Sequence, residues 1–387
     1  MKKTICGLAA GVLLTLPSRA DDAMDYKAGG DACAVKGDWD GAIADYRKAM
    51  ELKPDDPAIH LNCARAQQAK GDLAGALTNL DQTIGLKPGD AYAHVLRGTL
   101  KETRGDLAGA LADYNGAIDE LHFEVDFAYS NRGHAKAGLG DFPGAADDYG
   151  RAVALRADNV NAWLGRAGAR QALGDYPRAQ DDFSRAIGLK PGDFNAWLGR
   201  GTVRQVLGDL AGARADYDQV IQLQPDYAPV YFNRGCLHYD RGAFHEALSD
   251  FRQVCALDPA GLGGYAHFRI WLTRARLGEA DAATAELKDY WDHRPSGAPA
   301  GWPEKVAGLL SGRLAEPDFL QAAAVGGQKA VAEQPCEAFF YAGAKRLSQG
   351  DKTAAREYFQ KCVGTGVKSF CEYQSAAAEL KALTTAP

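Results

Sequence analysis

The sequence lacks the short motifs that mark most metalloproteins and enzymes. It has no Cys-x-x-Cys or His-x-x-x-His spacing, and its eight histidines are scattered along the chain, so no metal site is predicted. It also lacks a Gly-x-Ser-x-Gly elbow, a Walker loop and a dinucleotide-binding fingerprint. We therefore expect a protein without a cofactor that is not an enzyme.

Long apolar runs and an excess of positive charge are missing as well. After residue 20, no segment approaches the roughly 20 consecutive apolar residues that a membrane helix needs, so we expect no stable membrane insertion. Acidic residues outnumber basic ones, and the formal net charge is −6. A negative balance argues against a nucleic-acid partner.

The first 20 residues have the pattern of a secretory signal peptide. Two lysines precede an apolar run from Ile5 to Leu16, and a small residue, Ala20, fits a cleavage site. Cys6 lies at the beginning of the apolar run, whereas a lipoprotein carries its cysteine at the end, so lipidation is not expected. Cleavage removes three positive charges and changes the net charge from −6 to −9. We expect the mature chain to begin near Asp21 and to be periplasmic or secreted.

A 34-residue period runs through the chain after this segment. Residues 161–194 and the segment that begins at Asn195 match in register, starting with the same letters, NAWLGR. Seven consecutive repeats carry alanine at position 20: Ala42, Ala76, Ala110, Ala145, Ala179, Ala213 and Ala247. Position 24 is large and mostly aromatic: Tyr46, Leu80, Tyr114, Tyr149, Phe183, Tyr217 and Phe251. Small residues at position 8, such as Gly98 and Gly201, are expected to face the alanines and let two helices approach closely.

Recurring Gly-Asp pairs predict where one helix ends and the next begins. Glycine accepts the left-handed turn and aspartate caps the following helix. The pairs are Gly37-Asp38, Gly71-Asp72, Gly105-Asp106, Gly140-Asp141, Gly174-Asp175 and Gly208-Asp209. The third repeat has one additional residue near His122 to Glu124, which predicts a longer turn there. This pattern is typical of tetratricopeptide repeats, so we predict an all-α, right-handed superhelical solenoid of antiparallel helix pairs with a C-terminal capping helix.

The period also predicts the organisation of the chain. We expect a signal peptide over 1–20, seven repeats over 21–259, a degenerate eighth repeat over 260–295, a non-repeat helical insertion over 296–335, and a terminal repeat with a capping helix over 336–387. Within the insertion, short helices are expected around 304–309 and 317–324. The capping helix is expected from about 370 to 383.

The last third resembles the NlpI family of cell-envelope tetratricopeptide lipoproteins. The resemblance lies in the run FFYAGAKRLSQGDKTAAREYFQKCVGTGVKSFCEYQSAAAEL, in the earlier run YAHFRIWLTRARLGEADAATAELKDYW, and in the segment around Trp302. It implies a non-catalytic envelope adaptor that dimerises and brings a protease or peptidoglycan hydrolases together with partners.

Polar residues recur at the helix positions that line the inner groove of such repeats. Amides offer a donor and an acceptor together, so a row of them suits the backbone of an extended peptide. The predicted partner-binding residues are Asn62, Gln68, Asn131, His134, Asn161, Gln171, Asn195, Gln205, Phe232, Asn233 and Tyr239. The alternative is that these residues are solvated polar positions or cap neighbouring turns.

Arginine recurs at position 7 in five repeats. These residues are Arg97, Arg132, Arg166, Arg200 and Arg234. Each repeat is predicted to have a first helix, helix A, and a second helix, helix B. The arginines suit acidic partners, but we favour structural pairing with aspartates of the B helices, namely Asp147, Asp181, Asp216 and Asp250.

Two cysteines of the terminal repeat are predicted to face each other. Cys336 at position 1 and Cys362 at position 27 lie on opposite helices of the hairpin, so they are a possible disulfide. Cys371 is the rival partner, and free buried thiols are the alternative.

These features predict a periplasmic scaffold or adaptor that binds a protein or an extended peptide in its concave groove, with a role in envelope or peptidoglycan maintenance. One alternative is a self-associating structural protein, such as a homodimer. A weaker alternative is an envelope hydrolase whose site lies in 296–335, where the candidate carboxylates are Glu304, Glu316, Asp318 and Glu333.

Overall fold

The computed structural model describes residues 19–294, 301–324 and 333–385. Within these ranges the chain forms helices and turns, with no β-strand. None of the helices in the described ranges has the length and apolarity to span a bilayer. Most of the predicted signal peptide, residues 1–18, lies outside the described residues. The prediction of an all-α fold is confirmed.

The chain divides into two compact units, and the boundary falls between Gly165 and Arg166, within helix α9. The first unit holds α1 (Arg19–Val35), α2 (Trp39–Leu52), α3 (Pro57–Lys70), α4 (Leu73–Leu86), α5 (Ala91–Thr103), α6 (Leu107–Asn115), α7 (Asp126–Gly138), α8 (Phe142–Leu155) and the beginning of α9 (Val160–Ala172). Each odd-numbered helix from α1 to α7 packs against the helix that follows it. Turns of two or three residues join the two helices of each pair, so the helices run in opposite directions.

The second unit holds the rest of α9 and continues the same pattern. Its helices are α10 (Tyr176–Leu189), α11 (Phe194–Leu207), α12 (Leu210–Leu223), α13 (Ala228–Asp240), α14 (Phe244–Leu257), α15 (Gly263–Arg276), α16 (Ala280–Asp292), α17 (Trp302–Ser311), α18 (Glu316–Ala324), α19 (Glu333–Ser348), α20 (Lys352–Gly364) and α21 (Cys371–Thr385). Helices α15 and α16 correspond to the degenerate eighth repeat, and α19 and α20 to the terminal repeat. Parts of the predicted insertion, residues 296–300 and 325–332, lie outside the described residues.

The Gly-Asp turns have the predicted geometry. The six glycines have φ between 76° at Gly37 and 90° at Gly71, the left-handed region that glycine adopts without strain. Each following aspartate accepts a hydrogen bond from a backbone N–H in the first turn of its helix, as Asp38 does from Gly41 at 3.0 Å. These caps satisfy helix donors that otherwise lack an intrahelical partner.

The core of each repeat is built from alanine and one large ring. All seven alanines at position 20 are fully buried, and the large residues at position 24 are at most 5% exposed. The position 8 glycines lie chiefly against these rings. This corrects the expectation that they face the alanines. A Cβ atom at Gly201 would lie 2.7 Å from the Tyr217 ring, and one at Gly235 would lie 2.8 Å from the Phe251 ring. The ring reaches helix A because the residue at position 20 is only alanine.

The additional residue of the third repeat lengthens the turn, as predicted. A π-helical turn, Gly116–Glu120, follows α6, and His122 has a left-handed φ of 53°. Helix α7 then begins at Asp126.

The C-terminal helix of the second unit folds back onto earlier helices. Helix α21 packs against α13, α19 and α20, and α17 and α18 pack against α19. A contiguous apolar core joins these elements and includes Phe268, Phe319, Phe340 and Phe359, all fully buried. Helix α21 thus covers one side of α13.

Candidate functional site

The recurring arginines form bidentate ion pairs within their own repeats. Each one contacts a buried aspartate of helix B, sixteen residues later, through Nε and Nη2. The pairs are Arg97–Asp113, Arg132–Asp148, Arg166–Asp182, Arg200–Asp216 and Arg234–Asp250, with Nη2–Oδ1 distances of 2.6–2.8 Å. The structural interpretation of the arginines is confirmed.

Two of the predicted aspartate partners were wrong by one residue. Asp148 and Asp182 are buried and make the ion pairs, whereas Asp147 and Asp181 are exposed. Asp148 lies one turn after the buried Ala145, so its side chain points to the same packed face. Asp147 lies on the neighbouring, solvated face of the helix.

The first unit has two cavities that contain predicted partner-binding residues. A cavity of about 400 Å³ is lined by Asn62 and by Asp31, Trp39 and Tyr46. Asn62 donates a hydrogen bond of 2.8 Å to Asp31 Oδ1, so its amide is already engaged.

The second cavity of this unit has a volume of about 520 Å³ and brings Asn131, His134 and Asn161 together. Asn131 donates to Thr99 Oγ1 at 3.3 Å, and His134 Nδ1 pairs with the Glu102 carboxylate. Asn161 is exposed. Two of its three predicted residues therefore have partners inside the protein.

The second unit has a pocket of about 350 Å³, here called the C-terminal pocket. It contains four of the predicted residues: Gln171, Gln205, Phe232 and Asn233. It is also lined by Tyr176, Thr202, Val206, Tyr217, Cys236, Leu262, Tyr265, Glu337, Ser369, Phe370, Cys371, Glu372 and Gln374. The pocket thus joins the inner positions of the repeats to the C-terminal elements.

The amides in the C-terminal pocket differ in their availability. Gln205 is buried and its Oε1 accepts a hydrogen bond of 2.8 Å from the Tyr217 hydroxyl. Gln171 and Asn233 are half-buried, and within the described part of the chain their side chains make no hydrogen bond. These two amides are free to bind a ligand.

Two carboxyl groups line the same pocket in different surroundings. Glu372 forms an ion pair with Arg269 at 2.6 Å. Glu337 accepts a hydrogen bond of 2.7 Å from the Trp302 indole nitrogen, which is a neutral donor. Burial raises the pKa of Glu337 to about 8, the nearby Glu372 adds to the increase, and the bond from Trp302 opposes it.

Three predicted site residues lie outside these cavities. Tyr239 is buried, and its hydroxyl donates to Glu379 Oε1 of α21 at 2.7 Å, so its assignment to an open groove is corrected. The reason is that α21 covers this part of α13. Asn195 is exposed and Gln68 is half-buried, and neither lines any of these three cavities.

The cysteines of the terminal repeat face each other as predicted. The Sγ atoms of Cys336 and Cys362 are 3.5 Å apart, and both residues are buried as free thiols. Cys371 lies elsewhere, in the C-terminal pocket together with Cys236, and accepts a hydrogen bond from Arg269. The disulfide between Cys336 and Cys362 stays a prediction.

Sequence reasoning missed the contribution of the C-terminal elements to the pocket. Tyr265, Glu337, Phe370 and Glu372 all line it, although none occupies a groove position of a regular repeat. No periodic signal marks them, because their place depends on how α21 folds back over the array.

Two of the four carboxylates considered for a hydrolase have partners within the protein. Glu304 pairs with Arg294 at 2.7 Å, and Glu316 accepts hydrogen bonds from Arg346 and Tyr358. Among the residues that the structure describes, no group of three or more His, Cys, Asp or Glu side chains is arranged to hold a metal ion.

Comparison with family models identifies the repeats. A model described as TPR repeat matches residues 30–71, and a tetratricopeptide repeat model matches residues 61–122, 131–194 and 169–228. A further tetratricopeptide repeat model matches residues 228–260. These matches end at residue 260, so the resemblance of the last third to the NlpI family stays a prediction.

Solved structures resemble the chain at low sequence identity. The C-terminal part of a TPR repeat-containing protein from Cytophaga hutchinsonii is 16% identical, with 60% of this chain and 95% of that chain covered and a TM-score of 0.50. A tetratricopeptide repeat protein from Parabacteroides merdae is 23% identical, with coverage of 61% and 93% and a TM-score of 0.48. YrrB, described as a TPR protein with an unusual peptide-binding site, is 20% identical, with coverage of 48% and 95% and a TM-score of 0.44. At these identities the likeness concerns the fold alone.

A comparison with curated proteins finds no match. The family matches nevertheless extend over residues 30–122 and 131–260, more than half of the chain. The helix pairs, the buried alanines and the Gly-Asp caps repeat over the same residues. The chain belongs to the tetratricopeptide repeat proteins.

Proposed function

We propose that this protein is a non-catalytic scaffold that binds an extended peptide segment of a partner protein, with the C-terminal pocket as its main contact. The observation that carries the proposal is the pair of unengaged amides, Gln171 and Asn233, in a pocket that also presents Phe232 and Tyr265. Amides match the donors and acceptors of a peptide backbone, and aromatic rings suit a side chain of the peptide.

The recurring arginines are not part of the proposed binding surface. All five are held by buried aspartates, so they stabilise the helix pairs and are not a free basic surface for an acidic partner. The polar inner positions, and above all Gln171 and Asn233, remain for recognition.

We also propose that the protein acts in the periplasm. The first 20 residues support export, and the resemblance of the last third to envelope lipoproteins favours a role in the maintenance of the envelope or peptidoglycan. Fractionation of cells and N-terminal sequencing of the isolated protein test this point. We expect a periplasmic protein that begins at Asp21, and a cytoplasmic protein that retains its first residues would contradict export.

Peptide binding is tested with an array of short unstructured peptides of diverse composition, followed by fluorescence anisotropy on those that bind. The test variant carries Gln171→Ala and Asn233→Ala together. The matched control is Gln253→Ala, which removes an exposed amide of α14 outside the pocket.

We expect the double variant to bind the selected peptides about tenfold more weakly or worse, because each lost hydrogen bond contributes on the order of 1 kcal/mol. The control should bind like the wild type. An array without any binding peptide, or equal loss in variant and control, would refute the proposal.

A further inference from the structure

The C-terminal pocket has an uncompensated acidic group. Of its two carboxyl groups, Glu372 already has Arg269 as its partner. Glu337 receives only the neutral Trp302 indole, and in the described ranges it has no lysine, arginine or histidine within salt-bridge distance. Glu337 is half-buried, and a carboxyl group removed from water without a cation is costly to ionise, so this position favours a ligand that brings a positive charge.

The walls of the pocket suit such a charge. Phe232, Tyr265 and Phe370 line the pocket together with Glu337, and no lysine or arginine is among the lining residues of the described chain. Aromatic faces attract ammonium and guanidinium groups, and the attraction increases when water is excluded. The carboxyl group and the rings therefore favour the same kind of ligand.

The size of the pocket fits a side chain and not a folded domain. Its volume of about 350 Å³ lies at the small end of the range for ligand pockets. The long apolar stem of a lysine or arginine can pack along the rings while its charged end reaches the carboxyl group. The unengaged amides of Gln171 and Asn233 lie in the same lining and are available to the peptide backbone.

We propose that the C-terminal pocket binds a lysine or arginine side chain of the partner peptide, with Glu337 as the carboxylate that pairs with it. This inference rests on the proposed peptide-binding function and specifies its partner. The peptide segment that is recognised contains a basic residue, and the pocket selects it over a neutral residue of similar length.

Ionisation of Glu337 is coupled to this binding. The charged groups near it are Glu372 on α21 and Arg269 on α15, with the Cys336 thiol on its own helix. Without ligand the pKa of Glu337 is about 8, so the group is mostly protonated at neutral pH. A cationic side chain stabilises the ionised form and lowers this pKa, so its affinity rises with pH up to about 8 and then levels off until the ligand itself begins to lose its proton.

The test uses a labelled lysine-containing peptide selected from the array and two synthetic versions of it, with arginine or methionine in place of that lysine. Affinities are measured by fluorescence anisotropy from mildly acidic pH to above pH 8. Glu337→Gln is the test variant, since glutamine keeps an acceptor for Trp302. Glu304→Gln is the control, because this residue lies outside the pocket lining. Circular dichroism confirms that each variant is folded.

For the wild type and the control we expect lysine and arginine peptides to bind about tenfold more tightly than the methionine version. Their affinity should rise with pH, and Glu337→Gln should lose both the preference and the pH dependence. If peptides bind without preference for a basic residue, this inference is wrong while the scaffold proposal stands. If no peptide binds, the scaffold proposal fails and this inference fails with it.

Discussion

Arg269 of α15 and Glu372 of α21 form a buried ion pair, with an Nη2–Oε1 distance of 2.6 Å, across 103 residues of sequence. The guanidinium group also donates to Ser375 Oγ at 3.1 Å and lies 5.0 Å from the centre of the Phe340 ring. Ser375 in turn donates to Asp240 of α13 at 2.6 Å. The network holds α21 in the position that gives the C-terminal pocket one of its walls.

Loss of the arginine should destabilise the second unit. Arg269→Met leaves Glu372 buried without its cation, and breaking a buried ion pair on one side costs about 3–5 kcal/mol. Urea unfolding followed by circular dichroism measures the loss as a lower midpoint. Arg269→Met combined with Glu372→Gln should recover part of the loss, because the uncompensated charge is removed.

The matched control for this variant is Arg313→Met. Arg313 also pairs with a carboxylate at 2.7 Å, that of Asp292, but both side chains are close to half exposed. Exposed pairs contribute at most about 1 kcal/mol. Equal shifts in the two variants would contradict the role assigned to the buried network.

Two helical glycines should respond in opposite directions to alanine. Gly201→Ala brings a Cβ atom 2.7 Å from the Tyr217 ring, so the ring or the helix must move. Such overpacking costs about 1–3 kcal/mol. Gly188→Ala, in α10, meets nothing within 4 Å and should stabilise the protein by about 0.5–1 kcal/mol through helix propensity. Thermal unfolding of both variants tests this, and a stabilised Gly201→Ala would refute the proposed packing.

The repeated part of the fold could be predicted because its determinants are local. An alanine, a ring and a Gly-Asp pair at fixed spacing specify one helix hairpin, and the same hairpin recurs along both units. The register of the aspartates was harder to predict, because Asp147 and Asp148 are adjacent acids in sequence. Only the side chain on the packed face pairs with Arg132.

The C-terminal pocket could be predicted only in part. Gln171, Phe232 and Asn233 follow from repeat positions, since the period defines the inner face. Glu337 on α19 and Phe370, which precedes α21, do not, because their place depends on how the C-terminal helices pack on α13 and α15. That packing is made by contacts between residues more than 100 positions apart. No spacing in the sequence encodes such a return, and for the same reason Tyr239 was assigned to the groove and not to the interface under α21.

The stability of the second unit should depend on pH through Asp240. Burial raises the pKa of this group to about 7, although the hydrogen bond from Ser375 and the charge of Arg269 oppose the increase. In the unfolded chain an aspartate has a pKa of about 3.9. Since the folded value is the higher one, folding favours the protonated form, and the contribution of Asp240 to the free energy of unfolding falls as pH rises from about 4 to about 7.

The variant Asp240→Asn isolates this contribution, because the amide retains an acceptor for Ser375 and cannot ionise. Urea unfolding at several pH values should show a shallower decline for the variant than for the wild type over the same window. The contribution of Glu337 is common to both proteins and cancels in the comparison. Parallel curves would show that Asp240 titrates normally in the folded protein.

The thiols of Cys336 and Cys362, 3.5 Å apart and buried, should form a disulfide when the protein matures in an oxidising compartment. Protein isolated from the periplasm should have an intact mass lower by two hydrogens, restored by reductant, and a cross-linked peptide that contains these two residues. Closing a loop of this size stabilises the folded state by about 3 kcal/mol on the chain-entropy estimate. The variant with Cys336→Ser and Cys362→Ser should lose about that amount of stability. Cys33→Ser in the first unit is the control and should not lose it.

Peptide mapping also distinguishes the rival pairing. Cys371 lies in the C-terminal pocket with Cys236, so oxidation that involves Cys371 should yield a cross-link to Cys236 and not to Cys336. That product would fasten α21 to α13 and restrict the pocket, and it should change peptide affinity, whereas a bond within the α19–α20 hairpin should not. If both hairpin thiols are recovered in the free form from the oxidising compartment, the prediction is wrong. The two sulfurs would then be a packed contact that oxidant does not convert into a bond.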